Sequence, residues 1–386
     1  MGDLQVSLVS CPAPDALAPL WQALEGRAEP NFFTSWIWIA NWLAHLDAAH
    51  VPWLLRVHQG PALVGLGVVV RQSTRRLRWW PSTALHLHAT GLRERDDVTV
   101  EHNALLAQRG CEVQVHAAVA SQLWALAPEV DQLCLPATSG EHAWWRTAAR
   151  PVQRVREHTE TAYRVDLGAV RQAGRAYLDT LGAPTRSAVR RSQRLYEGWG
   201  GLRLTVATTL QEGLEFLARL KHFHQLAWAA RGRPGAFANP LFERFHQRLV
   251  AAGLPTGQVQ LLRLQAGHQE VGYLYNFVHG GQVLSYQSGF HFGLTERNHH
   301  PGLVTHAMAV QQALDAGLQG YDFLAGEARY KAQLAHQRYP MTSLTLHRSS
   351  VGLWLEEAWR RARGLLGRHD PRGPGDRLSN GSVTSP

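Results

Sequence analysis

The sequence predicts a duplicated α/β protein, two mixed-sheet units in tandem with a seam near Gly168. Three observations carry this expectation. Both halves read in the same order, β-α-α-β-β-β-α-β-α-β, although the residues themselves do not repeat. The length of 386 residues exceeds one domain of about 150 residues by more than twofold. The 45% hydrophobic and 18% charged shares are those of a chain that folds around cores.

In the first half, Leu4–Val9 reads as a strand, and Asp15–Leu24 and Thr34–Leu46 as helices. Strands follow at Trp53–His58, Leu63–Val70 and Leu77–Trp80, then a helix over Val113–Leu126. Asp131–Leu135 is a strand, Glu141–Ala149 a helix and Tyr163–Leu167 a strand. Residues 169–197 are helical and link the halves. In the second half a β-rich run at 202–206 precedes a helix capped by Thr208 or Thr209 and reaching Ala229. Asn239-Pro240 supplies an N-cap and a first-turn proline for the next helix, which ends near Gly253. Strands at 258–264, 271–278 and 282–289 follow, the last two joined by Gly280-Gly281. Pro301-Gly302 opens a helix that stops at Gly317. Tyr321–Leu324 is a buried strand, Glu327–Ala335 a short helix and Ser343–His347 a strand.

This order divides the chain into units at 1–168 and 169–350, with 351–386 outside them. Leu353–Leu366 is an amphipathic helix whose stripe of Leu355, Trp359, Ala362 and Leu366 is expected to dock on a core. Peripheral membrane contact through 351–366 is the alternative. The Gly/Pro/Ser-rich stretch from Gly367 to Pro386 is expected to be disordered.

Composition excludes several classes. The apolar run Ala62–Val70 is too short to span a bilayer, and the first residues show no secretory pattern. Three widely spaced cysteines, Cys11, Cys111 and Cys134, argue against a disulfide framework and for a cytoplasmic location. Walker A, nucleophile-elbow, zincin and dinucleotide fingerprints are absent. The histidine pairs His86/His88, His222/His224 and His299/His300 lack a carboxylate or cysteine at ligand spacing, so no metal site is expected.

The net charge of +9 points to acidic partners. Only Lys221 and Lys331 are lysines among 39 basic residues; the rest are arginines. Arg186, Arg190, Arg191 and Arg194 share a helix face that is either simply solvated or suited to a phosphate-rich ligand.

The densest chemistry lies between Ser285 and Lys331. The helix opening at Pro301-Gly302 offers backbone amides to an anion. Asp322 is flanked by Tyr321 and Phe323, a costly placement for a charge unless it is paired. Glu327, Tyr330 and Lys331 follow within nine residues, and a structural Asp322–Lys331 pair is as good a reading as a reactive one.

These residues resemble a known family. Pro301-Gly302, Gly317, Tyr321-Asp322-Phe323-Leu324, Gly326 and Tyr330-Lys331 are similar to the GNAT-fold acyltransferases of the CelD/BcsL-type group, relatives of the FemABX transferases. His224, Trp228, Arg231-Gly232 and Phe237 match a second motif of the group, and Phe32-Phe33-Thr34-Ser35-Trp36 a third. The resemblance covers roughly residues 30–348 and implies tandem GNAT-like domains. At the general pyrophosphate motif the chain keeps Gly302 but carries His299 and Val304 at the flanking positions.

What the resemblance implies is an N-acyltransferase that moves an acyl group from acyl-CoA, a co-substrate and not a resident cofactor, to a primary amine of a small molecule or glycan. Asp322, Glu327, Tyr330 and Lys331 would serve the chemistry. Arg297, Asn298, Gly302 and Leu303 would hold the CoA, and His224, Trp228, Arg231 and Tyr286 the acceptor. Cell-envelope or exopolysaccharide synthesis is the setting the group suggests. The alternatives are an aminoacyl-tRNA-dependent transferase and a non-catalytic accessory protein of polysaccharide synthesis.

Overall fold

The computed structural model describes residues 3–76, 79–139, 152–294, 299–349 and 351–366. The expected helix at Glu141–Ala149 and the tail from Gly367 lie outside the described residues, as do Leu77 of the expected third-strand segment and the site candidates Arg297 and Asn298. The protein is a mixed α/β chain that divides into two units. One holds Met1–Thr159 and the segment from Met341 onward, the other Glu160–Pro340.

In the first unit the strands are β1 (Leu4–Ser10), β2 (Pro52–Gln59), β3 (Ala62–Arg76), β4 (Trp80–Leu87), the short β5 (Leu106–Ala107) and β6 (Gln132–Ser139). The helices are α1 (Pro14–Glu25), α2 (Trp36–Leu43), α3 (Arg93–Asp96) and α4 (Glu112–Leu126). β1 to β4 form an antiparallel meander, β6 runs parallel to β4 over three residues, and β5 pairs with β3. Val57, Val69, Leu85 and Leu133 from the sheet pack with Val115, Val119 and Leu123 of α4.

β7 (Val152–Asp166) begins in the first unit and ends in the second. The second unit continues with α5 (Leu167–Gln172), α6 (Tyr177–Thr180), α7 (Ala183–Glu197), β8 (Leu202–Val206), α8 (Leu210–Ala229) and α9 (Pro240–Gly253). Then come β9 (Val259–Ala266), β10 (Gln269–His279), β11 (Gln282–Phe290), α10 (Pro301–Asp315), β12 (Gly320–Ala325) and α11 (Arg329–Leu334). β13 (Gln337–Arg348) starts in the second unit and ends in the first, and α12 (Val351–Leu366) closes the described chain.

β8 to β11 form a second antiparallel meander, β12 runs parallel to β11, and β7 pairs antiparallel with β12. The two units thus repeat one topology, four antiparallel strands followed by a parallel fifth. They also trade their last strands in sequence. Met341–His347 pair with β6 of the first unit, and Ala162–Asp166 with β12 of the second. The division therefore differs from the seam expected at Gly168, because the chain supplies each unit's final strand from the other half of the sequence.

Local rules account for most elements. Thr209 caps α8 with a capping box to Glu212, and Asn239 caps α9 through the Leu241 amide. The linker 169–197 is not one helix but three, broken at Gly174 and Gly182. β7 and β13 are each longer than the expected runs because paired neighbours extend a strand past its apolar centre.

The faces of the second sheet follow from strand alternation. Leu274, Val283, Tyr321 and Phe323 pack with Ala307, Val310 and Leu314 of α10. Tyr273 meets Phe216 and Phe223 of α8, and Tyr275 meets His246 of α9.

Helix α12 corrects an expectation. Leu355 and Trp359, read as the docking stripe, are exposed, whereas Leu353 is fully buried. The Ala362 and Leu366 side chains lie outside the described residues.

Candidate functional site: a splayed strand pair in the second unit

β11 and β12 pair only from Gln282–Leu284 to Gly320–Asp322. Beyond that, β11 continues to Phe290 paired with β10 on its other edge, and β12 to Ala325 paired with β7. Their facing edges separate, which exposes backbone donors and acceptors to whatever enters the gap. A bulge lies at the same point: Asn276 pairs with Ser285 and Tyr275 with Gln287, so Tyr286 has no partner residue in the ladder.

On one side of the gap is the start of α10. His300 is the N-cap, Pro301 opens the first turn, and Gly302 and Leu303 carry amides that no helical carbonyl can reach. Gly302 has a packing reason to be glycine. A Cβ there would lie 3.2 Å from the Phe290 ring, tighter than ordinary contact. Positive charge converges on this turn. Burial depresses the His300 pKa, and the charges of Arg191, His299 and Arg329 depress it further. α7 supplies Arg191, and its buried Ser192 accepts a hydrogen bond from the His300 amide at 2.9 Å. Not all of the α7 arginine face is available to a ligand. Arg190 bonds the Asp179 carboxylate at 2.9 Å, and Arg186 donates to the Asp179 and Leu181 carbonyls.

Asp322 and Lys331 are both 6% exposed and both hold the end of β12. The Leu324 amide donates to Asp322 Oδ1 at 2.7 Å, and the Tyr339 hydroxyl donates to Oδ2 at 2.6 Å. Lys331 Nζ donates to the Ala325 carbonyl at 2.5 Å and reaches that of Leu324 at 3.4 Å. Leu324 itself has φ +62°, a left-handed backbone that a leucine adopts at a cost. The ammonium is thus committed to carbonyl oxygens of its own unit, in a geometry a planar guanidinium does not copy.

Tyr330 is buried, and burial pushes its hydroxyl well above the usual tyrosine range. Its ring stacks on His306 of α10 at 4.6 Å and 11°. His306 is fully buried, its pKa falls to about 3, and neither ring nitrogen finds a hydrogen-bond partner. Desolvation is the main cause and Lys331 adds to it. Glu327 differs from these neighbours in being exposed, just after Gly326 at φ +121°.

The four expected acceptor residues lie on α8, the loop after it and β11. His224 is a buried connector. Its Nδ1 donates to the Ser288 carbonyl at 3.2 Å and its Nε2 accepts from the Ala236 amide at 3.4 Å, which defines the neutral tautomer. Burial lowers its pKa to about 4. The Trp228 indole is tilted against it at 5.8 Å, and the exposed Arg231 guanidinium lies over Trp228 at 5.7 Å. Tyr286 is half-buried among Phe242, His246, Tyr275 and Phe277. The structure therefore sorts the expected residues into two groups. Gly302, Tyr330 and Lys331 stand on the α10 face with Asp322 at the strand end, and His224, Trp228 and Tyr286 on the α8 face. The splay lies between these faces.

Sequence reading missed His306 and Tyr339. His306 stands four residues after Gly302, one helical turn onward on the same face, so its position was legible but its burial was not. None of the expected site residues that are described lines the cavity of about 210 Å³ in the first unit. Glu29, Asn31, Asn103, Glu112, His116 and Ser139 are among its walls, a set with carboxylates and no arginine or lysine.

Comparison with known proteins agrees with this geometry. Residues 183–332 match the family model described as acetyltransferase (GNAT) domain. No curated protein matches the chain in sequence. Among solved structures, FemX is similar with a TM-score of 0.58 at 8% identity, over 92% of this chain and 99% of that one. L-PGS from Bacillus licheniformis is similar with a TM-score of 0.52 at 11% identity, over 93% and 98%. At such identities the likeness is one of fold. The splayed fourth and fifth strands and the helix that starts beside them lie within the segment, residues 183–332, that matches the GNAT acetyltransferase domain model.

Proposed function

We propose that the second unit is an N-acyltransferase of the CelD/BcsL type that moves an acyl group from acyl-CoA to a primary amine, on a small molecule or a glycan of the cell envelope. The observation that carries this reading is the splay of β11 and β12 beside the positively charged first turn of α10. Such a turn binds a pyrophosphate through the Gly302 and Leu303 amides. Arg191 and Arg329 add charge there. The acyl end then lies in the gap, where the backbone around the Tyr286 bulge supplies donors for a developing oxyanion.

The reaction forms a C–N bond at the thioester carbonyl and breaks the C–S bond. The ammonium must first lose a proton. Glu327 suits that task better than Asp322, because both Asp322 oxygens already accept hydrogen bonds within the fold. The departing thiolate needs a proton or a donor, and Tyr330, kept protonated by burial, supplies one. Asp322 and Lys331 then act as positioning residues for the strand end. Trp228, Arg231 and Tyr286 line the amine's approach, and His224 fixes α8 to β11.

Capture of the full chain on immobilised CoA, with elution by free CoA, tests the donor. Failure to bind while binding tRNA with steep salt dependence would overturn it. For the base, Glu327→Gln should lower turnover by about two orders of magnitude and leave Tm unchanged, since the side chain is exposed.

A further inference from the structure

The loop after α7 sets an aromatic pair beside the first turn of α10. Trp199 stacks on His299, with ring centres 5.0 Å apart and planes at 24°. Tyr196, buried in the last turn of α7, meets both rings edge-on, Trp199 at 5.2 Å and His299 at 5.0 Å. His299 is one peptide bond from His300, the N-cap of α10. The stack is thus tied at one end to α7 and at the other to the turn whose Gly302 and Leu303 amides no helical carbonyl can reach.

The backbone of Trp199 is held in place. Its amide donates to the Tyr196 carbonyl at 2.9 Å. Gly267, in the turn between β9 and β10, presses so closely that a Cβ there would stand 2.4 Å from the Trp199 carbonyl oxygen. Despite this support the indole is not covered, and Trp199 is 37% exposed. The adjoining turn is positive. Arg191 and Arg329 are exposed, and their charges add to burial in depressing the His300 pKa.

An aromatic face held rigid next to a cationic, amide-rich turn suits a nucleotide: the turn takes the phosphates and the ring takes the base. We propose that Trp199 and His299 form the platform for the adenine base of the donor, a proposal that rests on the reading that acyl-CoA sets its diphosphate at the first turn of α10. In CoA a single ribose separates the base from the diphosphate. A base beside His299 therefore leaves the diphosphate at the next residues of the chain, those of the α10 turn. Because the platform is fixed before the ligand arrives, little ordering opposes the stacking. The pair selects a donor that carries a purine, and it acts away from the reacting carbonyl.

Calorimetric titration of the full chain with CoA, and with 3′-phosphoadenosine 5′-diphosphate as the nucleotide without its arm, tests this. The wild-type chain should bind both, and inorganic pyrophosphate at least about tenfold more weakly. Trp199→Leu keeps apolar bulk but offers no π-face, and should weaken CoA and the nucleotide by the same factor, about tenfold or more. Trp199→Phe restores a ring and should recover most of that loss, with a Tm like that of Trp199→Leu. The proposal is overturned if pyrophosphate binds as well as the nucleotide, or if Trp199→Leu binds CoA as the wild type does. It is also overturned if Trp199→Phe binds no better than Trp199→Leu, which would make Trp199 a packing residue. In each of these cases the wild-type chain still binds CoA, so the acyl-CoA reading stands. If the wild-type chain does not bind CoA, that reading falls and this proposal with it.

Discussion

Asp322 and Lys331 show how a residue pair that stands out chemically in sequence can be tied to backbone in space. Both are buried: Asp322 accepts from the Leu324 amide and the Tyr339 hydroxyl, and Lys331 donates to the Leu324 and Ala325 carbonyls. Removing the ammonium leaves those carbonyls short of a donor beside a left-handed leucine. Lys331→Met should therefore cost about 2–3 kcal/mol and lower Tm by several degrees, read by calorimetry. An unchanged Tm would mean that the strand end holds itself. Tyr339→Phe removes one donor to the buried Asp322 carboxyl group and should cost about 1.5–3 kcal/mol. The contrast with Glu327, whose loss should spare Tm, separates positioning from proton transfer.

At the scale of elements, the packing of α8 on β11 decides how the face that carries His224, Trp228 and Tyr286 is built. A Cβ at Gly289 would stand 2.3 Å from the Leu220 carbonyl oxygen, an atom of helix backbone that cannot swing aside. Gly289→Ala should push α8 off the strand, break the His224 bond to Ser288 and cost about 2–4 kcal/mol in urea unfolding. Gly201→Ala is the control, since nothing lies within 4 Å of its Cβ position and its cost should be near zero. The start of α8 was legible to within one residue, Thr208 or Thr209, and the capping box to Glu212 selects Thr209. The orientation of α12 was not. Its stripe was read correctly as apolar, yet which side meets the sheet depends on Trp80, over 270 residues away in sequence.

For the whole molecule, the traded strands and the buried histidines set the stability. A fragment beginning at Ala169 lacks Ala162–Asp166, the antiparallel partner of β12, and should not fold cooperatively by circular dichroism; one starting at Val152 regains that strand. His86, His88 and His224 are held near a pKa of about 4, and His306 about 3, chiefly by burial. The unfolded chain binds their protons near pH 6.5 and the folded chain does not, so stability is full above that pH. It should fall as pH drops from about 6.5 to 4, by up to about 1.4 kcal/mol per unit for each histidine; equal urea midpoints at pH 7 and pH 5 would contradict this. By itself the sequence determined the element order, a helix cap at Thr208 or Thr209 and another at Asn239, the hairpin at Gly280-Gly281 and the duplication of one α/β plan. Those depend on periodicity and turn chemistry within a few residues. It also concentrated the chemistry between Ser285 and Lys331. Only the tertiary structure decided which unit each final strand completes, that Asp322 and Lys331 face their own strand end, that His306 lies beneath Tyr330, and that α12 turns its tryptophans outward. Each of these is a contact between residues distant in sequence or a choice of buried face, and pairing energy over such distances leaves no mark in local spacing.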